Sequence, residues 1–96
     1  MIIKSQSFHD YSIESLEYNW KENVAQLKIR GMNLNSNSIE NKVLSFSIVR
    51  EININQKNPW GPSQYILETQ FLEKSFEILM QSGDKITILA EHIEIQ

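Results

Sequence analysis

Two histidines and one aspartate are the residues of this chain whose types could support metal or acid–base chemistry. His9 and Asp10 are adjacent near the N-terminus, and His92 lies near the C-terminus. Because the terminal strands of small β-proteins often lie side by side, the three side chains could converge and bind a divalent metal ion. That arrangement would make the chain a small metal-dependent enzyme or a metal-binding protein. The alternative, which we favour, is structural: Asp10 caps a turn into the first strand, and His9 hydrogen-bonds a carbonyl group.

Paired carboxylates are a second candidate for acid–base chemistry. Glu14 and Glu17 lie three residues apart, and so do Glu91 and Glu94. On a strand, residues at this spacing point to opposite faces, and both pairs lie among polar residues. We therefore interpret them as part of a charged outer surface rather than as catalytic pairs.

The glycine, serine and cysteine content excludes several further classes of site. The three glycines, Gly31, Gly61 and Gly83, are too far apart to build a phosphate-binding loop or a dinucleotide fingerprint. Gly61-Pro62-Ser63 lacks the pattern of a nucleophile elbow. The chain has no cysteine, which excludes disulfides, thiol catalysis and cysteine-ligated zinc. We predict that the protein is not an enzyme and has no cofactor.

Trp60 is the most conspicuous aromatic residue, because it lies within Pro59-Trp60-Gly61-Pro62. Two prolines and a glycine so close together exclude regular structure. An exposed tryptophan on such a loop would be suited to anchor a partner. The alternative, which we favour, is that the prolines turn Trp60 inward, where it plugs one end of a small core.

Composition indicates an ordinary folded protein with an acidic surface. The 96 residues suffice for one domain, and 41% are hydrophobic and 22% charged. Twelve acidic residues against nine lysines and arginines give a net charge of −3, which argues against nucleic-acid binding by bulk electrostatics. Residues 1–7 lack the apolar run of a signal peptide, and no run approaches the length of a membrane span. We expect a soluble, cytoplasmic protein that contacts neither nucleic acid nor membrane.

Alternation of apolar and polar residues predicts strands along most of the chain. A first hairpin with its turn at Glu22-Asn23 would pair Trp20 with Ala25, Tyr18 with Leu27 and Leu16 with Ile29. Residues 31–41 are rich in asparagine and serine and predict a flexible connection. Residues 43–54 predict a long strand whose buried face comprises Leu44, Phe46, Ile48, Ile52 and Ile54. Arg50 interrupts this face, and we favour a bulge or bend there over an arginine that snorkels or is paired with a carboxylate.

The second half of the chain predicts further strands. Residues 65–71 alternate as a strand, which we prefer to a helix starting at Ser63. A last hairpin with a Ser82-Gly83-Asp84 connection would pair Met80 with Ile86, Ile78 with Ile88 and Phe76 with Ala90. The apolar phase then changes, which predicts a bulge or bend at Glu91 and His92. We predict one all-β domain over residues 1–96, an antiparallel sandwich or small barrel of six to seven strands.

Three short motifs, taken together, resemble a family of small bacterial proteins. They are Phe8-His9-Asp10, then Trp60-Gly61-Pro62-Ser63, then Ser82-Gly83-Asp84, and their order spans nearly the whole chain. Some proteins of this kind are immunity proteins encoded beside polymorphic or contact-dependent growth-inhibition toxins. The resemblance implies a shared fold and a role in binding a toxin, and it carries over no catalytic residue.

The sequence therefore favours a protein-binding module, most concretely an immunity protein that masks a cognate toxin domain without catalysis. Many toxin domains are basic nucleases, and surface carboxylates would steer a basic partner towards the chain. We expect a monomer or a homodimer. The candidate contacts are six acidic residues and one aromatic anchor: Glu14, Glu17, Glu22, Trp60, Glu68, Glu73 and Glu91.

Overall fold

The described part of the chain consists of six antiparallel strands in one sheet. The computed structural model describes residues 8–33 and 35–96. The strands are β1 (Ser12–Asn19), β2 (Val24–Asn33), β3 (Ser38–Ile54), β4 (Ile66–Leu72), β5 (Ser75–Met80) and β6 (Lys85–Ile95). The order across the sheet is β1-β2-β3-β6-β5-β4, and the described residues contain no helix. The predicted all-β antiparallel fold is confirmed. Accordingly, nothing helical in the described ranges has the length and apolar character needed to cross a membrane.

The two edge strands of the sheet meet at one end. Ser12 at the start of β1 forms an isolated bridge with Tyr65, just before β4. The N–H of Ile66 donates to the carbonyl of Tyr11, and the N–H of Asp10 donates to the carbonyl of Ile66, each at 2.8 Å. Because the first and last strands of the order touch, the sheet must curve into an incomplete barrel. Farther along β1, its neighbour among the described strands is β2 alone.

The inner face of the curved sheet holds a single apolar core. Phe46, Phe76 and Ile88 on three adjacent strands are no more than 1% exposed. The rings of Phe46 and Phe76 lie 5.6 Å apart, and that of Phe71 lies 4.5 Å from Phe76. The buried apolar residues form one cluster: Phe8, Tyr11, Ala25, Leu27, Ile29, Leu44, Phe46, Ile66, Phe76, Ile78, Met80, Ile86, Ile88 and Ala90.

Phe8 and Tyr11 cover the end of the core, a position that the sequence pattern assigned to Trp60. Both are buried, and their rings pack edge to face at 5.2 Å. A Cβ atom on Gly31 would lie 2.3 Å from Cγ of Tyr11, so the tyrosine ring rests directly on the glycine. Trp60 is 75% exposed. The prediction of an inward-facing Trp60 is therefore wrong, because the N-terminal segment already fills that space.

The first hairpin differs in register from the prediction. Tyr18 pairs with Ala25 and Leu16 with Leu27, a shift of two residues. The turn has four residues, closed by the N–H of Glu22 donating to Oδ1 of Asn19 (3.0 Å) and by a left-handed Asn23 (φ 55°). The longer turn keeps Leu16 and Tyr18 on the apolar face but excludes Trp20 from the strand, and Trp20 is 85% exposed.

The last hairpin is shifted in the same way. Phe76 pairs with Ile88 and Ile78 with Ile86, rather than with Ala90 and Ile88. The N–H of Met80 donates to the carbonyl of Asp84, and the N–H of Gly83 donates to the carbonyl of Met80. The connection therefore has three residues, as predicted, but they are 81–83. Gly83 supplies the left-handed backbone (φ 91°) that this type of loop needs.

Residues 31–33 and 35–41 belong to a hydrogen-bonded hairpin rather than to the predicted flexible connection. Gly31 pairs with Glu40 and Asn33 with Ser38 across β2 and β3. Oδ1 of Asn33 accepts hydrogen bonds from the N–H groups of Asn35 (2.9 Å) and Ser36 (3.3 Å). The asparagines that suggested flexibility thus supply the hydrogen bonds that build the turn.

The predicted bulge at Arg50 is confirmed. The register between β3 and β6 shifts between Val49 and Glu51. Ile48 has a left-handed backbone (φ 53°) and is 47% exposed, so it leaves the buried face to which the pattern assigned it. Ile54, also assigned to that face, is 51% exposed at the end of β3.

Along β6 the buried face changes phase as predicted. The fully buried Ile88 and Ala90 are followed by Ile93 and Ile95, which pack against the core from positions of the other parity. The register shift that accompanies this change lies on β3, not at Glu91 and His92, where a bulge was predicted.

Candidate functional site

The three motifs on which the family resemblance rests come together at one end of the sheet. We call this region, made of residues 8–10, 58–63 and 81–84, the motif end. Gln81 connects two of its parts: Nε2 donates to Oδ1 of Asp10 (2.6 Å), and the backbone N–H donates to the carbonyl of Tyr65 (2.9 Å). Segments far apart in sequence therefore form one hydrogen-bonded unit.

Asp84 holds the loop 58–63 against the β5–β6 turn. Its side chain is buried, and Oδ1 accepts a hydrogen bond from the N–H of Asn58 at 2.6 Å. Oδ2 accepts a second hydrogen bond from the hydroxyl of Ser82 at 2.8 Å, and Ser82 is itself buried. The N–H of Trp60 donates to the carbonyl of Ser82 at 3.0 Å. The loop is thus irregular but fixed.

Trp60 rests with one side of its ring on Gly83. A Cβ atom added to Gly83 would lie 2.8 Å from Cε3 of Trp60 and 3.2 Å from Cγ of Pro59. Most of the indole nevertheless faces solvent. The packing therefore holds an exposed aromatic side chain in a defined orientation, which is a property of binding anchors.

His9 has the structural role that we favoured from the sequence, whereas the carboxylate of Asp10 accepts a hydrogen bond from Gln81 instead of capping the turn. Asp10 occupies the turn before β1 with a left-handed backbone (φ 67°), and Nδ1 of His9 donates to the carbonyl of Leu67 at 2.7 Å. Nε2 of His9 lies 3.4 Å from Oδ2 of Asp10, and both side chains are more than half exposed. Together they fasten the N-terminal segment along the start of β4.

His92 does not join this pair. His9 contacts Leu67, the residue before Glu68. Glu68 is level with Lys85 of β6, because both residues pair with Leu79 of β5. His92 lies farther along β6 opposite Ser47, on the order of 20 Å away at about 3.3 Å per residue. Within residues 8–33 and 35–96, no three His, Cys, Asp or Glu side chains are placed to hold a metal ion. The alternative in which the three side chains converge at a metal site is therefore wrong, because the terminal strands meet other neighbours.

Tyr11 and Glu40 form a second polar contact next to the motif end, which the sequence pattern did not reveal. The Tyr11 hydroxyl donates to Oε1 of Glu40 (2.6 Å), and Nδ2 of Asn33 donates to Oε2 (3.1 Å). Burial, and then Glu40, raise the pKa of Tyr11 to about 12. The hydrogen bond from Tyr11, followed by that from Asn33, lowers the pKa of Glu40. The lone glycine at 31 in a strand pattern was the available signal of this close approach.

Tyr11 is expected to ionise in a separate late step of an absorbance titration, at about pH 12. Since its folded pKa lies above the ordinary value of 10.0, its contribution to stability is complete below pH 10 and is lost as the pH rises through about 12. The late step should disappear in Tyr11→Phe. Its persistence in that variant would contradict the assignment.

The predicted acidic contacts are all at the surface, but they differ in accessibility. Glu14, Glu68 and Glu73 are exposed. Glu17 is 3.5 Å from Lys28, and Glu22 accepts a hydrogen bond from Nδ2 of Asn19 (3.1 Å).

Glu91 is engaged within the protein. It lies 3.2 Å from Arg50 and 3.3 Å from Lys74, and its side chain is only 24% exposed. Hydrogen bonds from Lys74 and then Arg50 lower its pKa. It is therefore the predicted contact that is least free to meet a partner.

The sequence pattern missed a second exposed aromatic group at the β1–β2 turn. Trp20 packs edge to face against Tyr18 with ring centroids 5.5 Å apart. The Tyr18 hydroxyl donates to Oδ1 of Asn23 at 2.6 Å, which fixes the tyrosine ring. Trp20 was assigned to the inner face because the turn was taken to be two residues shorter.

Comparison with protein-family models, with curated proteins and with solved structures finds no match for this chain. The case for a function rests on the placement of charges and aromatic side chains described above.

Proposed function

We propose that this chain is a cytoplasmic protein-binding module of the immunity type, which binds a basic toxin domain and masks it without catalysis. The observation that carries the proposal is the distribution of charge. Residues 8–20 and 58–73 contain five carboxylates and neither lysine nor arginine, whereas the rest of the chain has seven carboxylates and nine lysines and arginines. All of the excess negative charge therefore belongs to these two segments, which we call the acidic edge.

The two parts of the acidic edge adjoin in space. They are joined by the Ser12–Tyr65 bridge and by the hydrogen bond from Ile13 to the carbonyl of Gln64 (2.9 Å). Asp10, Glu14, Glu17, Glu68 and Glu73 are all exposed. Carboxylates arranged in this way attract a basic partner over a distance of about one Debye length, roughly 8 Å at physiological salt, and raise the rate of association.

The acidic edge also contains both tryptophans. Trp20 and Trp60 are the most exposed large hydrophobic residues in the described part of the chain, at 85% and 75%. Each is held by a neighbour, Tyr18 in one case and Gly83 in the other. Rigid exposed aromatic side chains lose little conformational entropy on binding and supply most of the affinity in many interfaces. Blocking a toxin needs only such a surface, not a catalytic group.

The proposal is tested by producing the chain together with a toxin encoded directly beside its gene. We expect the two proteins to co-purify and the toxin to lose activity in the complex. Association should slow by roughly tenfold or more when ionic strength is raised from low salt to about 0.5 M.

Two results would contradict the proposal. The adjacent toxin could stay active at a large excess of the chain, or the association rate could be insensitive to salt. A triple variant with lysine in place of Glu14, Glu17 and Glu68 is the informative comparison, because it reverses the charge of the acidic edge without touching the core.

A further inference from the structure

We propose that the partner binds by adding an extended segment to the free edge of β1, with Trp20 as its anchor. This inference rests on the proposed function and names the surface that performs it. β1 pairs with β2 over Ser15–Asn19, and within residues 8–33 and 35–96 its other side meets the loop before β4 only at Ser12 and Ile13. Every second residue of such a strand directs its N–H and C=O away from the sheet, so β1 offers a partner a row of backbone hydrogen bonds.

The charged residues of the β1 edge are both glutamates, which repel an acidic strand but not a basic one. Ser12–Asn19 contains no proline, lysine or glycine, and its one bulge, between Ile13 and Ser15, lies at the joined end. The opposite edge strand, β4, is joined to the N-terminal segment at Ile66 and Leu67, much as β1 is joined to the loop before β4. Trp20 favours strand addition at β1, because it is the most exposed large hydrophobic residue of the described chain and directly follows that strand.

The side chains of β1 indicate what the added segment contains. Leu16 and Tyr18 point inward, opposite Leu27 and Ala25, whereas Glu17 points outward. Residues directly opposite each other on paired strands point to the same face of the sheet. Apolar residues of the added segment would therefore contact Leu16 and Tyr18, and a lysine or arginine would contact Glu17. Glu17 is available because its contact with Lys28 is long and both groups are largely exposed.

A recess of about 650 Å³ at the outer end of β1 suits a long basic side chain. It is bordered by the carboxylates of Glu17 and Glu22 and by Tyr18. Trp20, at the end of the same strand, adds an exposed ring to which a guanidinium or ammonium group is attracted. A second copy of this chain fits less well, because paired β1 strands would bring Glu14 and Glu17 close to the same residues of the other copy.

The test is amide hydrogen exchange, followed by NMR, on the complex with the adjacent toxin. Alternate amides of Ser15–Asn19 should exchange at least about tenfold more slowly in the complex, whereas those of the exposed turn Asn35–Asn37 should not change. Trp20→Ala should weaken the affinity at least about tenfold. Ile39→Ala is the matched control, because Ile39 is also exposed (58%) but lies in the β2–β3 hairpin, outside the acidic edge, and it should change the affinity less than about twofold.

The possible outcomes distinguish strand addition at β1 from other modes of binding and from a failure of the proposed function. If the toxin binds but the β1 amides exchange at their free rate, or if Trp20→Ala weakens the affinity no more than Ile39→Ala does, strand addition is wrong and the proposed function stands. If slowed exchange appears in the free chain at high concentration together with a dimer, the occupant is a second copy, which overturns the assignment of a basic segment. If the wild-type chain does not bind the toxin at all, the proposed function itself fails.

Discussion

Replacing Gly31 with alanine is expected to destabilise the protein by about 3 kcal/mol, a large share of the 5–15 kcal/mol typical of a small domain. The new Cβ would lie 2.3–2.6 Å from three atoms of the Tyr11 ring. Tyr11 would have to move, which would break its hydrogen bond to Glu40 and open the packing against Phe8. Urea denaturation, with the midpoint and slope compared between variants, measures the loss.

A double-mutant cycle provides the control for this prediction. In a Tyr11→Ala background, the space above residue 31 is vacant, and Gly31→Ala should stabilise slightly, because alanine restricts the unfolded chain more than glycine does. The sign of the effect is therefore expected to reverse. Equal destabilisation in both backgrounds would show that the conformation of residue 31, rather than the tyrosine ring, is responsible.

Asp84→Ala is expected to cost about 2–4 kcal/mol and to release the loop 58–63. The substitution removes the acceptor of the Asn58 N–H and of the Ser82 hydroxyl at a site that is 5% exposed. Hydrogen bonds to a charged group contribute about 1.5–3 kcal/mol each, and a buried donor left without a partner adds a further cost. Unfolding in urea gives the stability, and the fluorescence anisotropy of Trp60 in a Trp20→Phe background reports the mobility of the loop.

Asp10→Gly is the control for Asp84, because glycine removes the carboxylate and tolerates the left-handed backbone of residue 10 (φ 67°). The carboxylate of Asp10 also accepts a hydrogen bond, from Gln81, but its side chain is 69% exposed. Water can replace that contact, so the loss should stay below about 1 kcal/mol. Comparable losses for the two variants would mean that the burial of Asp84 has no special role in holding the loop.

The faces of the strands were predictable from the sequence, whereas their registers were not. Alternation assigns Leu16, Leu27, Ile78 and Ile88 to the inner face, where the structure has them. A shift of two residues preserves that assignment, so hydrophobic pattern alone cannot distinguish one even register from the next. The length of the turn decides, and at 20–23 it depends on the Asn19 side chain and a left-handed Asn23.

The parts of the candidate site that the sequence did not predict depend on long-range packing. Trp60, Phe8 and Tyr11 are all large aromatic residues, so residue type alone does not indicate which of them covers the core. Their roles are decided by Gly31, which leaves room for Tyr11, and by Asp84, which keeps the loop of Trp60 on the outside. Arg50 was different, because a charged residue in phase with apolar neighbours indicates a bulge within its own strand.

The bridge between Ser12 and Tyr65 has a consequence for the order of folding. Four of the five strand pairings in the described sheet join neighbours in sequence, whereas the β3–β6 pairing and this bridge close long loops, that of the bridge about fifty residues. By chain statistics such a closure costs roughly 3–4 kcal/mol of entropy before any contact compensates for it. The barrel should therefore join its edges late, after the hairpins have formed, and that junction should be the first part of the native sheet to open.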